Sequence, residues 1–271
     1  MTPSVRRWLC TGGVLLALLA VPGVTVPEEH VVLLTDPGLI SSSGAGDPEA
    51  PAPEGQRPNP VDFTAEELEE LQRRFGVHGP QPPLAQLFTE GLDHFRPLRS
   101  RTFGRLESLR PVILSECERH AINPVLVAAV LFDELQHAKP GEDHPIAAHS
   151  GLFQTHGPAQ LSLGELVKQG VLQADASPEE VIEARNALLD PDHNVRILVA
   201  KFARLKIALD LPSHRPLMAS NSLRDAKGLA TLAYLHNGKL DYPERILRYM
   251  QDPEIHALIY GQREHLPGLV I

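Results

Sequence analysis

The chain has 271 residues, 42% of them hydrophobic and 22% charged, which is enough for one or two folded domains with a real core. A formal charge of −9 and the lack of any basic run exclude a phosphate-binding surface, and with it nucleic acid as a partner. Removal of an N-terminal segment would leave Cys117 as the only cysteine, so no intramolecular disulfide is expected and packing has to hold the fold.

In chain order, Arg6 and Arg7 precede an apolar stretch from Trp8 to Val26, and acidic residues follow at Glu28 and Glu29. That order predicts a signal peptide or an uncleaved N-terminal membrane anchor over residues 1–26, and a protein exported to the periplasm, the cell envelope or the exterior. Cys10 stands before the apolar core, where a lipid-attachment cysteine would follow it. Residues 27–62 are rich in Pro, Gly, Ser and Ala and poor in large apolar side chains. Such a composition cannot offset the entropy of ordering and predicts a flexible tether. The folded domain is expected over residues 63–271.

Thr64 opens that domain: Glu67 three residues on completes a capping box, Phe63 and Leu68 are spaced for a hydrophobic staple, and the helix should run to about Phe75. An apolar segment follows around Leu84 to Phe95, then a helix from about Arg105 to His120. Asn123-Pro124, an N-cap residue with proline at the first helical position, starts a helix over about residues 124–138. Ser177-Pro178 with Glu180 starts another, and Asp190-Pro191 a long one with Val195, Leu198, Phe202 and Leu205 at helical spacing. "LRDAKGLATLAYLHNG" closes at Asn237-Gly238, and Pro243 begins again. Strand signals are nearly absent and no repeat is present, so the fold class is mainly α with minimal β structure.

The chemistry centres on "INPVLVAAVLFDELQH", residues 122–137, where an aliphatic run meets Asp133 and Glu134. Glu134 lies four residues after Val130, three after Leu131 and seven after Val127, so it shares their helical face. Apolar surroundings disfavour the charged form of a carboxyl group, the setting a general acid requires. Asp133 is rotated by about 100° and is expected to face solvent or a neighbouring loop.

Four motifs in order resemble the soluble lytic transglycosylases and goose-type lysozymes. "INPVLVAAVLFDEL" resembles the helix that ends in that family's catalytic Glu, and "GLFQTHGPAQ", seventeen residues after Glu134, its Gly-Leu-Met-Gln motif followed by Pro-Ala-Thr. "DPDHNVRILVAKFARL" is similar to its Asp-Pro-x-x-Asn-Ile helix. "LAYLHNG" and "YPERILRY" resemble its Ala-Tyr-Asn-Ala-Gly motif and the Tyr-Val-x-x-Val-Leu segment after it. The resemblance implies a lysozyme-like helical domain that cleaves peptidoglycan strands between N-acetylmuramic acid and N-acetylglucosamine. Glu134 would be acid and then base, yielding a 1,6-anhydro sugar without cofactor or metal. It further implies Gln154, Tyr234 and Asn237 lining the sugar cleft and Gly151 giving a tight turn beside it. "GPAQLS" at 157–162 is the competing placement of the second motif and makes Gln160 the cleft residue.

Three departures stand out. Leu135 takes the place of the serine that follows the family's catalytic Glu. Leu235-His236 separates Tyr234 from Asn237, an expansion that could turn Asn237 away from the cleft. The segment after Glu134 carries histidines: His137, His144, His149 and His156 fall within twenty residues. Their spacings put no two ligands one helical turn apart and no His-Glu-x-x-His is present, so a zinc hydrolase is the weakest enzyme reading. Two further alternatives are a hydrolytic muramidase, and a non-catalytic glycan-binding or scaffold protein that keeps the cleft without the acid.

Overall fold

Capping chemistry sets the helix starts. In the computed structural model, which describes residues 59–76, 96–138, 148–150 and 153–261, nine helices and one two-stranded hairpin are present among the described residues. The expected export segment, most of the expected tether, the apolar segment at 84–95, His144, Gly151 and residues 262–271 lie outside that range. Helix α1 (Ala65–Phe75) carries the expected box, with Glu67 N donating to Thr64 Oγ1 at 3.2 Å and Thr64 N to the Glu67 carboxylate at 2.8 Å. The same box opens α5 (Pro178–Leu189) through Ser177 and Glu180. Asn123, Asp190 and Asp252 cap α3 (Pro124–Gln136), α6 (Pro191–Ala208) and α9 (Pro253–Tyr260), each followed by proline in the first turn.

Helix α3 is the centre of the core. From Val125 to Gln136 every residue is buried except Glu134, the signature of a helix enclosed by others. It packs against α2 (Arg96–His120), α8 (Tyr242–Tyr249) and α9; α2 also meets α6, and α7 (Leu223–Asn237) lies against α8 and α6. Phe132 is ringed by Phe103 and Tyr249 at centroid distances of 5.1 and 5.0 Å.

Helix α2 begins at Arg96, nine residues before the expected start. Its first turn has no acidic residue to announce it, and tertiary contacts pull it in. Arg99 pairs with Asp252 at 2.6 Å and Glu254 at 3.3 Å, and its guanidinium lies over the rings of Phe103 and Phe132. In return, Arg110 of α2 donates to the carbonyls of Leu258 and Ile259 at 2.6 and 3.1 Å, satisfying the end of α9. At eight residues α9 is too short to hold alone, and its Ile255 and Ile259 are buried.

A hairpin of β1 (Thr155–His156) and β2 (Leu161–Ser162) leads into α4 (Leu163–Lys168), elements the sequence did not announce. Gly157 makes its turn with φ +74°, and a Cβ there would lie 2.1 Å from the Leu188 carbonyl. No side chain fits. Asn194 of α6 holds the turn: its Nδ2 donates to the carbonyls of His156 and Leu188 at 3.0 and 2.9 Å, and its Oδ1 accepts from Ala159 N at 2.8 Å. Residues 59–62, the expected end of the tether, form a turn whose Asp62 carbonyl accepts from Lys227 of α7 at 2.6 Å, so ordered structure starts before Phe63. Ala121, at φ 52°, joins α2 to α3, and the buried Lys206 of α6 donates to its carbonyl at 2.7 Å and to that of Arg215 at 2.9 Å.

Candidate functional site

Glu134 is the point where the buried helix reaches the surface, its side chain 11% exposed. Its own helix surrounds it with Val127, Val130 and Leu131, all fully buried. The other side is polar. Tyr242, first residue of α8, donates its hydroxyl to Glu134 Oε1 at 2.8 Å; Asn237, last residue of α7, donates Nδ2 at 3.3 Å; His236 brings Nε2 to 3.4 Å. All three converge on Oε1. Among the described residues no group donates to Oε2, so the carboxyl group has one oxygen held and one available.

The neighbours are tuned by burial. Burial pushes the Tyr242 phenol well above its ordinary range, with the Glu134 and Asp133 charges adding to the effect, so the hydroxyl stays protonated and acts as donor. Burial lowers the His236 imidazole, as does the Lys201 charge, and outweighs the opposing pull of Glu134 and Asp133, so the ring is neutral at neutral pH. His236 stands between the rings of Phe202 and Tyr242, each 6.0 Å away. Behind it Lys201 Nζ lies 3.3 Å from both Nδ1 and the carbonyl of His236.

Asp133 faces neither solvent nor loop, contrary to the sequence expectation. It is 2% exposed and receives Arg245 Nε at 2.5 Å and Nη2 at 3.3 Å. Burial raises its pKa, but the His137 hydrogen bond and the Arg245 charge outweigh that, leaving the carboxyl below its usual range. Arg245 also reaches Asp241 at 2.9 Å and lies 5.3 Å from the Tyr242 ring centroid. The ion pair therefore ties the start of α8, and with it Tyr242, to α3. The expectation failed because Arg245 lies 112 residues away in sequence.

Among the other sequence candidates, Asn237 is brought to Glu134, and its Oδ1 is left buried without a partner among the described residues. Tyr234 is not brought there. It is fully buried, packed on Phe63 at 5.6 Å with Gln72 Nε2 3.4 Å from its hydroxyl, a core position and not a cleft wall. Gln160 spends its amide inside the hairpin, accepting from Thr155 Oγ1 at 2.7 Å and donating to the Gly157 carbonyl at 3.1 Å. Gln154 is exposed just before β1, and Gly151 lies outside the described residues. Among the described residues, Gly157 is a glycine whose missing Cβ the fold requires. Leu135, at the expected serine position, is buried at 5% exposure in the core and offers no hydroxyl.

The described histidines of the loop reading are engaged separately. His137 Nδ1 lies 2.8 Å from the Asp133 carbonyl and His149 Nε2 lies 2.9 Å from Asn186 Oδ1. His156 is buried in β1. Among the described residues no three His, Cys, Asp or Glu side chains converge on one point.

His236, Lys201 and Tyr242 were missed in the sequence. A signal existed for two of them. His236 immediately precedes Asn237, as tyrosine immediately precedes asparagine in the motif it resembles, and Tyr242 opens the "YPERIL" segment. Nothing local marks Lys201. Comparison with family models, curated proteins and solved structures finds no match to this chain.

Proposed function

We propose that the chain is a lytic transglycosylase of lysozyme-like fold, exported to the cell envelope, that cleaves peptidoglycan between N-acetylmuramic acid and N-acetylglucosamine. The observation that carries this reading is the asymmetry of Glu134, with Oε1 held by Tyr242, Asn237 and His236 and Oε2 without a donor among the described residues. An acid so held presents its proton on Oε2. It gives that proton to the glycosidic oxygen as the C1–O bond breaks, then takes the proton of the muramic 6-hydroxyl as that oxygen closes on C1. No water is consumed, and one carboxyl group serves both steps where ordinary glycosidases use two.

Asp133 supports the one-carboxylate scheme because it is buried and neutralised by Arg245, and so is not offered as a nucleophile. Tyr242 and Asn237 supply the support for the carboxylate that the family's serine would give and Leu135 does not. Reading His236-Asn237 as the counterpart of the family's tyrosine-asparagine pair removes the need for an expansion there.

The test is a digest of purified peptidoglycan with the wild-type chain and with Glu134→Gln, analysing released fragments by mass. The expected result is anhydro-muropeptides from the wild type alone. Fragments heavier by one water would replace the reading with hydrolysis at the same acid. Polymer binding by both proteins with no product from either would replace it with a glycan-binding module.

A further inference from the structure

Glu134 has to carry its reacting proton on one oxygen, and what faces the other oxygen decides which. His236 presents Nε2 to Oε1 at 3.4 Å from a site where its side chain is 2% exposed. A neutral imidazole offers either a donor or a lone pair at Nε2, depending on its tautomer. Lys201 decides between them. An ammonium only donates, and its Nζ lies 3.3 Å from Nδ1 while a second contact of 3.3 Å, to the His236 carbonyl, holds it in place. Nδ1 must then accept, and the ring proton must sit on Nε2, facing Glu134.

We propose that Lys201 and His236 form a positioning relay behind Glu134, in which the Lys201 ammonium fixes the imidazole as an Nε2–H donor to Oε1 and so confines the acid's exchangeable proton to Oε2. The proposal rests on the reading of Glu134 as the acid. No covalent step is added: Lys201 acts through His236 and touches no substrate.

The charged surroundings of the relay are mixed. Burial is the largest influence on Lys201 and pushes it down to about 8; Glu165 on α4 and Glu134 on α3 pull the other way, while Arg204 on α6 and Lys168 on α4 add to the depression. Asp133 acts on His236 from α3. The α2 charge that faces α6, Glu116, pairs with Arg196, five residues before Lys201 and beyond one helical turn from it. Loss of the Lys201 proton leaves Nδ1 without an obligatory donor. The imidazole can then turn a lone pair toward Oε1, and the preference for Oε2 weakens to what Tyr242 and Asn237 alone sustain.

The experiment is a nitrogen NMR titration of the imidazoles in the full chain, His236 being assigned through His236→Gln, beside the peptidoglycan digest of wild type, Lys201→Met and Lys201→Arg. The expected spectrum has His236 as the Nε2–H tautomer at about pH 7 and a mixture at about pH 9. Lys201→Met should give the mixture at both. Digestion by wild type should fall as pH rises through about 8, Lys201→Arg should keep its activity past that point, and Lys201→Met should be slower by about tenfold, as one lost buried hydrogen bond implies. A Nδ1–H tautomer at neutral pH, or a Lys201→Met protein with unchanged tautomer and pH profile, overturns the relay. A tautomer that follows Lys201 in a chain that releases no fragments supports the relay and overturns the transglycosylase reading alone.

Discussion

Glu134 differs from its helix neighbours in one respect: it is the place where a core helix meets donors from two other helices. Removing one donor tests how much that matters. Tyr242→Phe keeps the ring and deletes the 2.8 Å hydrogen bond to Oε1, so on the proposed transglycosylase reading kcat should fall by about tenfold, with KM nearly unchanged because the tyrosine would support the acid and not the sugar. Steady-state digestion of soluble glycan strands reads the two parameters apart. At the same scale, Lys206→Met would leave the carbonyls of Ala121 and Arg215 without their donor. The expected cost is about 1–3 kcal/mol in denaturant unfolding, since the αL residue that turns the chain into α3 loses its clasp. Cys117 needs no such test of partnership: it is buried, and burial followed by the Glu116 charge pushes its thiol up to about 12. Thiol reagents should leave it unmodified until the chain unfolds.

At the scale of elements, the hairpin falls on one of the two placements of the second motif, with Gly157 at its turn. The sequence favoured Gly151 and Gln154, with "GPAQLS" as the competing placement. Gly157 is the residue enclosed by the Leu188 carbonyl and the Asn194 amide, and Asn194 belongs to the "DPDHN" start of α6. Gly157→Ala must move backbone to accommodate a Cβ at positive φ, and should destabilise the protein by at least about 2 kcal/mol. Asn194→Ala strands two carbonyls and one N–H in a buried site, with a similar expected loss of about 1–3 kcal/mol. Thermal unfolding of both variants, with the far-UV spectrum as a fold check, measures this. Helix starts were legible because Thr64, Asn123, Ser177 and Asp190 carry their capping partners within three residues. The early start of α2 was not, because its Arg99 finds its partner more than 140 residues away; α9 carried the same local signal in Asp252-Pro253, which went unread.

For the molecule as a whole, buried titratable groups set the pH range of stability. Burial and Lys201 keep His236 neutral in the folded chain, whereas an unfolded histidine gains its proton near 6.5. The unfolded state therefore binds more protons below that pH, and stability should decline as pH falls below it. Asp225 adds a later step. The Arg215 hydrogen bonds hold it down to about 2 from an ordinary 3.8, so its contribution is present above 3.8 and is lost as pH falls toward 2. Lys201 acts at the other end: pushed down to about 8 from 10.5, it makes stability rise with pH between those values. Urea midpoints across this range should show the acid-side decline in wild type, with the step near the Asp225 range reduced in Arg215→Gln.

By itself the sequence determined the helical class, most helix starts and the singular position of Glu134, because periodicity and capping act within one or two turns of chain. It also supplied Asn237 through motif order. Only the tertiary structure decided that Asp133 turns inward to Arg245, that Tyr234 belongs to the core, and that Tyr242, His236 and Lys201 gather behind the carboxyl group. Those outcomes depend on burial and on ionic and hydrogen-bond partners far away in the chain, and no local pattern encodes which distant side chain will neutralise a buried charge.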